Sequence, residues 1–367
     1  MDRKYRVLDM FCGAGGLSKG FIDAGYDIAI GVDFDEAALK TFEKNHGNSK
    51  ALNLNLFKDE DMKILVEKAL EDKIDVLIGG PPCQGFSLAG KRKEHDDRNK
   101  LYERMVELAS IIKPKVVLLE NVPGLATLYN GNAKRRILDD FRSLGYSMTE
   151  PKVLYAPNYG IPQIRKRLFF VGILNSKDEF KYPNPVVLEE EYVSCEDAIS
   201  DLPSLENEMG SSPSEYKTNK NLTEYQQKMR KNSKQLWNHI GSLHTEQTKY
   251  LISKVPEGGT YKSLPDDDPI CREYKEKAKY NELLTRYNSK KPSLTINTGH
   301  RTHFHYKFNR IPTVRENARL QSFPDDFIFY GTKSQQYKQV GNAVPPLLGY
   351  YLGLEIKKKL EEDKNEV

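Results

Sequence analysis

Two hydrophobic rhythms alternate through the first half of the chain. Short, nearly continuous apolar runs occur at 5–11 (YRVLDMF), 27–32 (DIAIGV), 74–78 (IDVLI) and 115–119 (KVVLL). Between them lie stretches with apolar residues at helical spacing: Leu17, Phe21 and Ala24 before a stop at Gly25, then 36–45, then 101–112. Runs that are apolar throughout suit strands buried on both faces, and strands alternating with helices predict a parallel sheet with right-handed crossovers. A further strand is expected at 168–173, and a helix at about 346–362 carries Leu347, Tyr350, Tyr351 and Leu354 on one side. In such sheets ligands bind beyond the carboxyl ends of the strands. The chain's unusual residues sit at those ends: glycines at 13–16, Asp33, the prolines and cysteine at 81–83, and Glu120 with Asn121.

Composition narrows the class. The chain has 367 residues, 38% hydrophobic and 29% charged, which gives room for two or three globular domains. No apolar run approaches the roughly 20 residues of a membrane helix, and charged residues at 2–6 leave no room for a signal peptide. Cys12, Cys83, Cys195 and Cys271 form no CxxC pair, so a reducing, intracellular (cytoplasmic) setting is expected rather than a disulfide framework or a cysteine zinc site. The net charge of +4 hides segregation. Residues 177–215 carry two basic and eleven acidic side chains, 217–234 six basic and one acidic, and 286–319 eight basic and one acidic. Such segregation suits either a local positive surface for a polyanion such as nucleic acid or solvated faces that cancel in three dimensions.

The glycine loop Gly13-Ala14-Gly15-Gly16 departs from the GxGxxG spacing that holds a pyrophosphate. With Asp33 at the end of the second strand it suits a nucleoside without pyrophosphate, S-adenosylmethionine for example, as well as a nicotinamide dinucleotide. The chemistry lies in the next cluster, Gly79-Gly80-Pro81-Pro82-Cys83-Gln84-Gly85-Phe86-Ser87. Prolines and glycines present Cys83 on a loop instead of packing it, and a thiolate there is a nucleophile. Residues 88–100, polar and glycine-punctuated, read as a lid with Lys91, Arg92 and Lys93 for phosphates. Glu120 closes a hydrophobic strand, where desolvation is expected to raise its pKa and equip it to share a proton. Arg165 and Arg167, alternate residues just before the strand at 168–173, are expected on one face, which either points into the site or forms an exposed basic edge.

Six blocks together carry a family resemblance: residues 9–16 (DMFCGAGG), 80–87 (GPPCQGFS), 120–122 (ENV), 163–167 (QIRKR), 315–324 (RENARLQSFP) and 339–345 (QVGNAVP). In this order they resemble a DNA (cytosine-5) methyltransferase of the compact bacterial or phage type. The resemblance implies an α/β, Rossmann-like S-adenosylmethionine-dependent methyltransferase domain with a mostly parallel sheet, at 1–178 plus 333–367. A second, smaller target-recognition domain, at 179–332, would bind DNA.

It also implies roles. Cys83 would add to cytosine C6, Glu120 would hold N3 and the exocyclic amine, Arg167 would contact O2, and Arg165 would order the nucleophile loop. The target base would be flipped out of double-stranded DNA. S-adenosylmethionine would be held by Phe11, Gly13, Gly15, Leu17, Asp33, Phe34, Pro81, Asn342 and Ala343. The family's usual aspartate at the adenine is replaced within 52–56 (LNLNL), so Asn53 or Asn55 would accept that hydrogen bond. Ser87, Lys91, Arg92, Arg301 and Arg319 are the expected DNA contacts. His300, His303 and His305 read as DNA contact or plain surface, and no metal is needed. The expected enzyme is a monomer, stand-alone or paired with a restriction endonuclease. The same fold and chemistry also serve a transfer-RNA methyltransferase branch, whose Cys-Phe-Thr tripeptide does not occur here.

Overall fold

The computed structural model describes residues 3–82, 100–217, 220–278, 284–299 and 302–365. They group into two compact units. The first comprises Met1–Tyr155, Lys166–Pro185 and Pro346–Val367, the second Ala156–Arg165 and Val186–Pro345. This division differs from the sequence expectation at three places, since 156–165 and 333–345 belong with the second unit and 179–185 with the first. For 333–345 the cause is local: the Tyr337 hydroxyl donates to the Pro312 carbonyl (2.6 Å), and Gln321 Nε2 donates to that of Val340 (3.1 Å).

The first unit is built on an eight-stranded sheet. In chain order its elements are β1 (Arg6–Met10), α1 (Gly16–Asp23), β2 (Asp27–Asp33), α2 (Glu36–Asn45), β3 (Lys50–Asn53), α3 (Asp59–Asp72) and β4 (Val76–Gly79). Then come α4 (Lys100–Ile112), β5 (Val116–Asn121), α5 (Asn132–Ser143), β6 (Tyr146–Met148), β7 (Lys152–Tyr155) and β8 (Lys166–Leu174). The strand order is β3-β2-β1-β4-β5-β8-β6, with β7 also pairing β8. The first five strands in that order are parallel, and β8 is antiparallel to β5, β6 and β7. The expected mixed α/β class with a mainly parallel sheet is thus the observed one. Leu8, Met10, Ile30, Val32 and Leu77 of the central strands are buried with Leu65, Met105 and Phe141 of the covering helices.

At the amino ends of the strands, carboxylates are consumed by structure. Asp72 pairs with Arg6 and Lys50, and Asp75 with Arg3 and Lys115. At the carboxyl ends stand Asp33, the last residue of β2, and Glu120, next to last in β5. The C-terminal helix Pro346–Asn365 packs on α1 through glycines: a Cβ on Gly20 would sit 2.3 Å from the Pro346 carbonyl oxygen, and one on Gly349 2.8 Å from that of Leu17. This close approach fixes α1, and with it the glycine loop at its start.

The second unit consists of short helices: α6 (Cys195–Ile199), α7 (Glu224–Arg230), α8 (Glu246–Ser253), α9 (Pro269–Lys277), α10 (Val314–Leu320) and α11 (Lys333–Asn342). Two brief parallel strands, β9 (Thr285–Arg286) and β10 (His303–Phe304), accompany them. Helices this short need help at their ends. Capping boxes supply it at α6 (Ser194, Asp197), α7 (Thr223, Gln226), α10 (Thr313, Glu316) and α11 (Thr332, Gln335), each satisfying two orphan donors. No described helix is long and apolar enough to cross a membrane.

Candidate active site

β1 runs into a loop that only unusual backbone angles can make. Phe11 has φ 62°, Gly13 53° and Gly15 88°, the left-handed region that glycine enters without penalty. A side chain at Gly15 would also strike the ring of His46, 2.5 Å away. The turn is pinned from three sides. The Gly15 amide donates to the Cys12 carbonyl (2.8 Å), the Cys12 amide to Val32 at the end of β2 (3.0 Å), and the Gly13 amide to Asp33 Oδ2 (2.8 Å). Asp33 Oδ1 accepts from the Asp35 amide (2.9 Å). Burial pushes the Asp33 carboxyl above its ordinary range, against the pull of those two N–H groups. Beside it Phe34 is 69% exposed, an aromatic face left open at a strand end, while a Cβ on Gly13 would project into open space. This open cradle, an acid at its rim and an uncovered ring fit an adenosyl ligand. Leu17 is buried in the first turn of α1.

Of the two asparagines on the adjoining edge, Asn55 is already engaged. Its Oδ1 accepts from the Phe57 amide (3.1 Å) in an Asx turn. Asn53 is anchored the other way round: its Nδ2 donates to the Asp33 carbonyl (3.2 Å), which leaves its oxygen as the acceptor on offer.

At the end of β5, Glu120 meets Arg167 of β8, with Arg167 Nε 2.9 Å from Glu120 Oε1 and both side chains mostly shielded. Arg167 also donates to the Lys166 carbonyl (2.8 Å). Glu120 lies against the neighbouring strand end, because a Cβ on Gly80 would be 3.0 Å from Glu120 Oε2. Asn121 Nδ2 reaches the Pro81 carbonyl (3.4 Å). The ENV block therefore flanks the Gly80-Pro81-Pro82 segment that leads to Cys83. Cys83 itself, the lid at 88–99, Ser87, Lys91, Arg92, His300 and Arg301 lie outside the described residues.

Arg165 departs from the expectation. β8 begins at Lys166, so Arg165 does not share a strand face with Arg167. It is 1% exposed and donates to the carbonyls of Ile296 (3.2 Å), Gly341 (3.0 Å) and Ala343 (3.0 Å) in the second unit. Asn342 is exposed and Ala343 half-buried on that turn.

Arg319, expected at DNA, is instead an interior residue. It is fully buried, with Nε and Nη2 on Asp325 (2.9 and 2.7 Å), Nη1 and Nη2 on Asp201 (2.5 and 3.1 Å), and Nη1 also on the Ala198 carbonyl (3.0 Å). Arg315 donates to the carbonyls of Trp237, Pro324 and Phe327. Arg310 holds Glu316 in a bidentate pair, both bonds 2.7 Å. Arg286 binds the carbonyls of Ile252 and Val255. His303 and His305, expected at the surface, are buried, and burial pushes their pKa values down to about 4 and about 3. The described arginines of 286–319 are thus interior, while its lysines, Lys290, Lys291 and Lys307, are exposed. The stretch at 217–234 likewise has Lys217, Lys220, Lys228, Lys231 and Lys234 exposed.

Sequence reading missed two groups behind the glycine loop. Asp9 in β1 is buried, accepts from Ser18 Oγ (2.6 Å), and is pushed by burial up to about 7. His46 lies under Gly15, with Nε2 3.2 Å from the Gly15 carbonyl and Nδ1 3.0 Å from that of Phe42; burial lowers it to about 4. An acid inside an otherwise apolar strand was the signal for Asp9, whereas nothing local marks His46. Among the described residues no group of three or more His, Cys, Asp or Glu is placed to hold a metal ion.

Comparison with known proteins accords with this geometry. The family model for C-5 cytosine-specific DNA methylases matches residues 5–358. The chain is 37% identical over 350 residues to the Type II methyltransferase M1.HphI of Haemophilus parahaemolyticus, covering 93% of this chain and 83% of that protein. It is 33% identical over 367 residues to M.DdeI of Desulfomicrobium norvegicum, covering 94% and 87%. Among solved structures, a prophage-encoded protein of E. coli assigned as a DNA modification methyltransferase superposes with a TM-score of 0.79 at 27% identity, covering 98% and 100%. With the family match spanning nearly all of the chain, this protein belongs to the C-5 cytosine-specific DNA methylases and is an S-adenosylmethionine-dependent DNA (cytosine-5) methyltransferase.

Proposed function

We propose that this enzyme methylates a flipped cytosine through a transient bond between Cys83 and C6 of the ring. The observation that carries the reading is the shielded Glu120–Arg167 pair beside Gly80-Pro81-Pro82, the segment that ends at Cys83. Cytosine C5 is a poor nucleophile while the ring is aromatic. Addition of the Cys83 sulfur to C6 makes C5 an enamine carbon. Glu120 holds N3 and its proton as electron density shifts into the ring, and Arg167 steadies both the Glu120 carboxylate and the base O2. S-adenosylmethionine, when bound, supplies an electrophilic methyl group on a sulfonium sulfur. The enamine C5 would take that methyl group, with the thioether S-adenosylhomocysteine as leaving group. A base or water would accept the C5 proton, and the electron pair of that C–H bond would re-form the C5–C6 double bond as the S–C6 bond breaks and Cys83 leaves as thiolate.

For the cofactor, the backbone at Phe11, Gly13, Gly15 and Leu17 forms the cradle, with Pro81 at its edge. Asp33 accepts from the ribose hydroxyls and Phe34 stacks on the adenine. Asn53, through the oxygen its anchored amide leaves available, takes the adenine amine. Asn342 and Ala343 complete the wall. Extrusion of the base costs a few kcal/mol, which phosphate contacts from the exposed lysines of 217–234 and from Lys91, Arg92 and Arg301 offset, with Ser87 beside the flipped base. The second unit reads the target sequence, and the activity serves DNA modification beside a restriction endonuclease, as the Type II names of the relatives suggest.

The test is a duplex carrying 5-fluorocytosine at the target, where the fluorine cannot leave as a proton does. A protein–DNA adduct that survives a denaturing gel is expected from the wild type and none from Cys83→Ser. Turnover of unmodified DNA without any such adduct refutes the covalent step.

A further inference from the structure

The turn that follows α11 is held by an unusual set of donors. A helix ends with carbonyls that have no partner within the helix. Here the carbonyls of Val340, Gly341 and Ala343, the last just past the helix, accept from buried side chains, and that of Val340 also takes the Ala343 amide (3.3 Å). Gln321 Nε2 donates to Val340 (3.1 Å) and to Ala343 (2.6 Å). Arg165 Nη2 donates to Gly341 and Ala343, both at 3.0 Å, placing a cation where the helix dipole is negative. Gln163 joins the two: its Nε2 donates to Gln321 Oε1 and to the Leu320 carbonyl (3.3 Å), while its Oε1 accepts from the Ile296 amide (3.0 Å). The opposite side of the turn is closed by backbone, since a Cβ on Gly341 would lie 2.5 Å from the Asn297 carbonyl oxygen. Gln163, Arg165 and Gln321 are each 1% exposed or less. Asn342 alone projects from this clamped turn as an exposed polar side chain.

We infer that Gln163, Arg165 and Gln321 form a buried brace that presets the Gly341–Ala343 turn, which makes them positioning residues for S-adenosylmethionine. The inference rests on the proposed placing of Asn342 and Ala343 in the cofactor wall. A preset wall binds without the cost of ordering at the moment of association. The brace therefore acts on cofactor affinity more than on the chemical step. It also gives the first arginine of the Gln163–Arg167 block a task different from that of Arg167, which pairs with Glu120 instead.

Titration of the full-length enzyme with S-adenosyl-L-methionine tests this. Arg165→Met should weaken binding about tenfold, equivalent to about 1.4 kcal/mol, and Arg165→Lys should recover part of the loss. Gln321→Met, which keeps the arginine, should weaken binding a few-fold and carries the test where Arg165→Met fails to fold. In each folded variant the KM for the cofactor should rise by more than kcat falls. An unchanged Kd in a variant that melts like the wild type overturns the brace. So does a fall in kcat at unchanged Kd, which would return Arg165 to the cytosine. Asn342→Ala separates the two layers of the argument. If it leaves the Kd unchanged, the cofactor wall itself is misplaced; if it weakens binding while the brace variants do not, only the brace is wrong.

Discussion

The two units keep their charged side chains in opposite places. In the first, the interior is mainly aliphatic and aromatic, with Asp9 and His46 behind the glycine loop as exceptions, and the acids that face the site stand at strand ends: Asp33 beside the glycine loop, Glu120 beside Gly80. In the second, the centre is ionic. Arg310, Arg315 and Arg319 are fully buried together with Glu316 and Asp325; each arginine donates to a carboxylate or to backbone carbonyls, and each acid accepts from a guanidinium. A parallel sheet satisfies its own backbone and leaves side chains at its edge at liberty to do chemistry. Short helices and irregular loops leave many carbonyls unpaired, and guanidinium groups with five donors each are the side chains best able to collect them. An arginine-rich stretch in such a region is therefore as much a substitute for secondary structure as a sign of a polyanion partner.

The sharpest way to break this comparison is to remove Arg319. Arg319→Met takes from buried Asp201 and Asp325 the cation they share, leaving Arg230 on the first (3.3 Å) and the Tyr216 hydroxyl on the second (2.7 Å). Breaking a buried pair typically costs 3–5 kcal/mol, and urea unfolding should register a loss of about that size. Protease sensitivity should appear first in 186–345. Were Arg319 a phosphate contact, the variant would unfold like the wild type and lose only DNA affinity, and the ionic-core reading would be lost with it.

In the first unit the corresponding substitution should spare the fold and stop the chemistry. Glu120→Gln keeps shape and a hydrogen-bonding oxygen for Arg167 but removes the charge that holds the N3 proton. Loss of such a group costs about 10²–10⁴ in rate, so kcat should fall by at least about 100-fold with the urea midpoint unmoved. A destabilised variant with near-normal kcat would show that the carboxylate at this strand end is structural after all.

Acid should separate the units more gently. His303 and His305, held at about 4 and about 3 by burial, stay neutral in the fold while the unfolded chain takes protons below about 6.5. Their contribution is complete above that value and is lost as the pH falls toward 3. Against the cost of burial, Arg310 and Arg319 hold Glu316 and Asp325 below the ordinary carboxylate range, which adds further loss at lower pH. In the first unit His46 acts in the same sense, but Asp9 acts in the opposite one. Its folded-state value of about 7 lies above the unfolded value, so its contribution is full below about 3.8 and is lost as the pH rises through 7. Hydrogen exchange between pH 7 and 4, corrected for intrinsic rates, should show α10 losing protection faster than β1 and α1. Asp9→Asn should narrow that gap by removing the opposing group. Equal losses in both units would refute the contrast.

Where the sequence was informative, it was so for physical reasons. Apolar runs too short for a helix and bounded by turn residues suit buried strands, so β1, β2, β4, β5 and β8 were found to within two residues, and the functional clusters fell at their ends. The capping boxes of α6, α7, α10 and α11 are also written locally, as Ser or Thr followed three residues later by Asp, Gln or Glu. What misled was any inference from charge to exposure. Arg319 and Arg315 look like the basic face of a helix, yet their partners Asp201 and Trp237 are 118 and 78 residues away in the chain. Arg165 failed for a related reason: alternation in a strand was assumed one residue before the strand begins. No local pattern announces partners that distant.

The smallest predicted effect lies where the contrast is narrowest, at two neighbouring cations of one basic stretch. Arg230 is drawn inward, with its guanidinium 3.7 Å from the Tyr216 ring centroid and 3.3 Å from Asp201. Lys231, the next residue, is exposed. The excursion that bears both is tied at its base by paired backbone bonds between Ser214 and Leu236, 3.0 and 2.9 Å. If exposure decides which cations serve DNA, Lys231→Gln should flatten the dependence of log Kobs on log salt by about 0.9, the release of one counterion from duplex DNA. The accompanying loss of affinity should be small and equal for target and non-target duplexes, because a phosphate contact carries no sequence information. Arg230→Gln should leave that slope alone and lower the unfolding midpoint instead. A slope that responds to Arg230 and not to Lys231 would mean that the interior cations of this unit turn outward to meet DNA, and the distinction between its core and its surface would have to be redrawn.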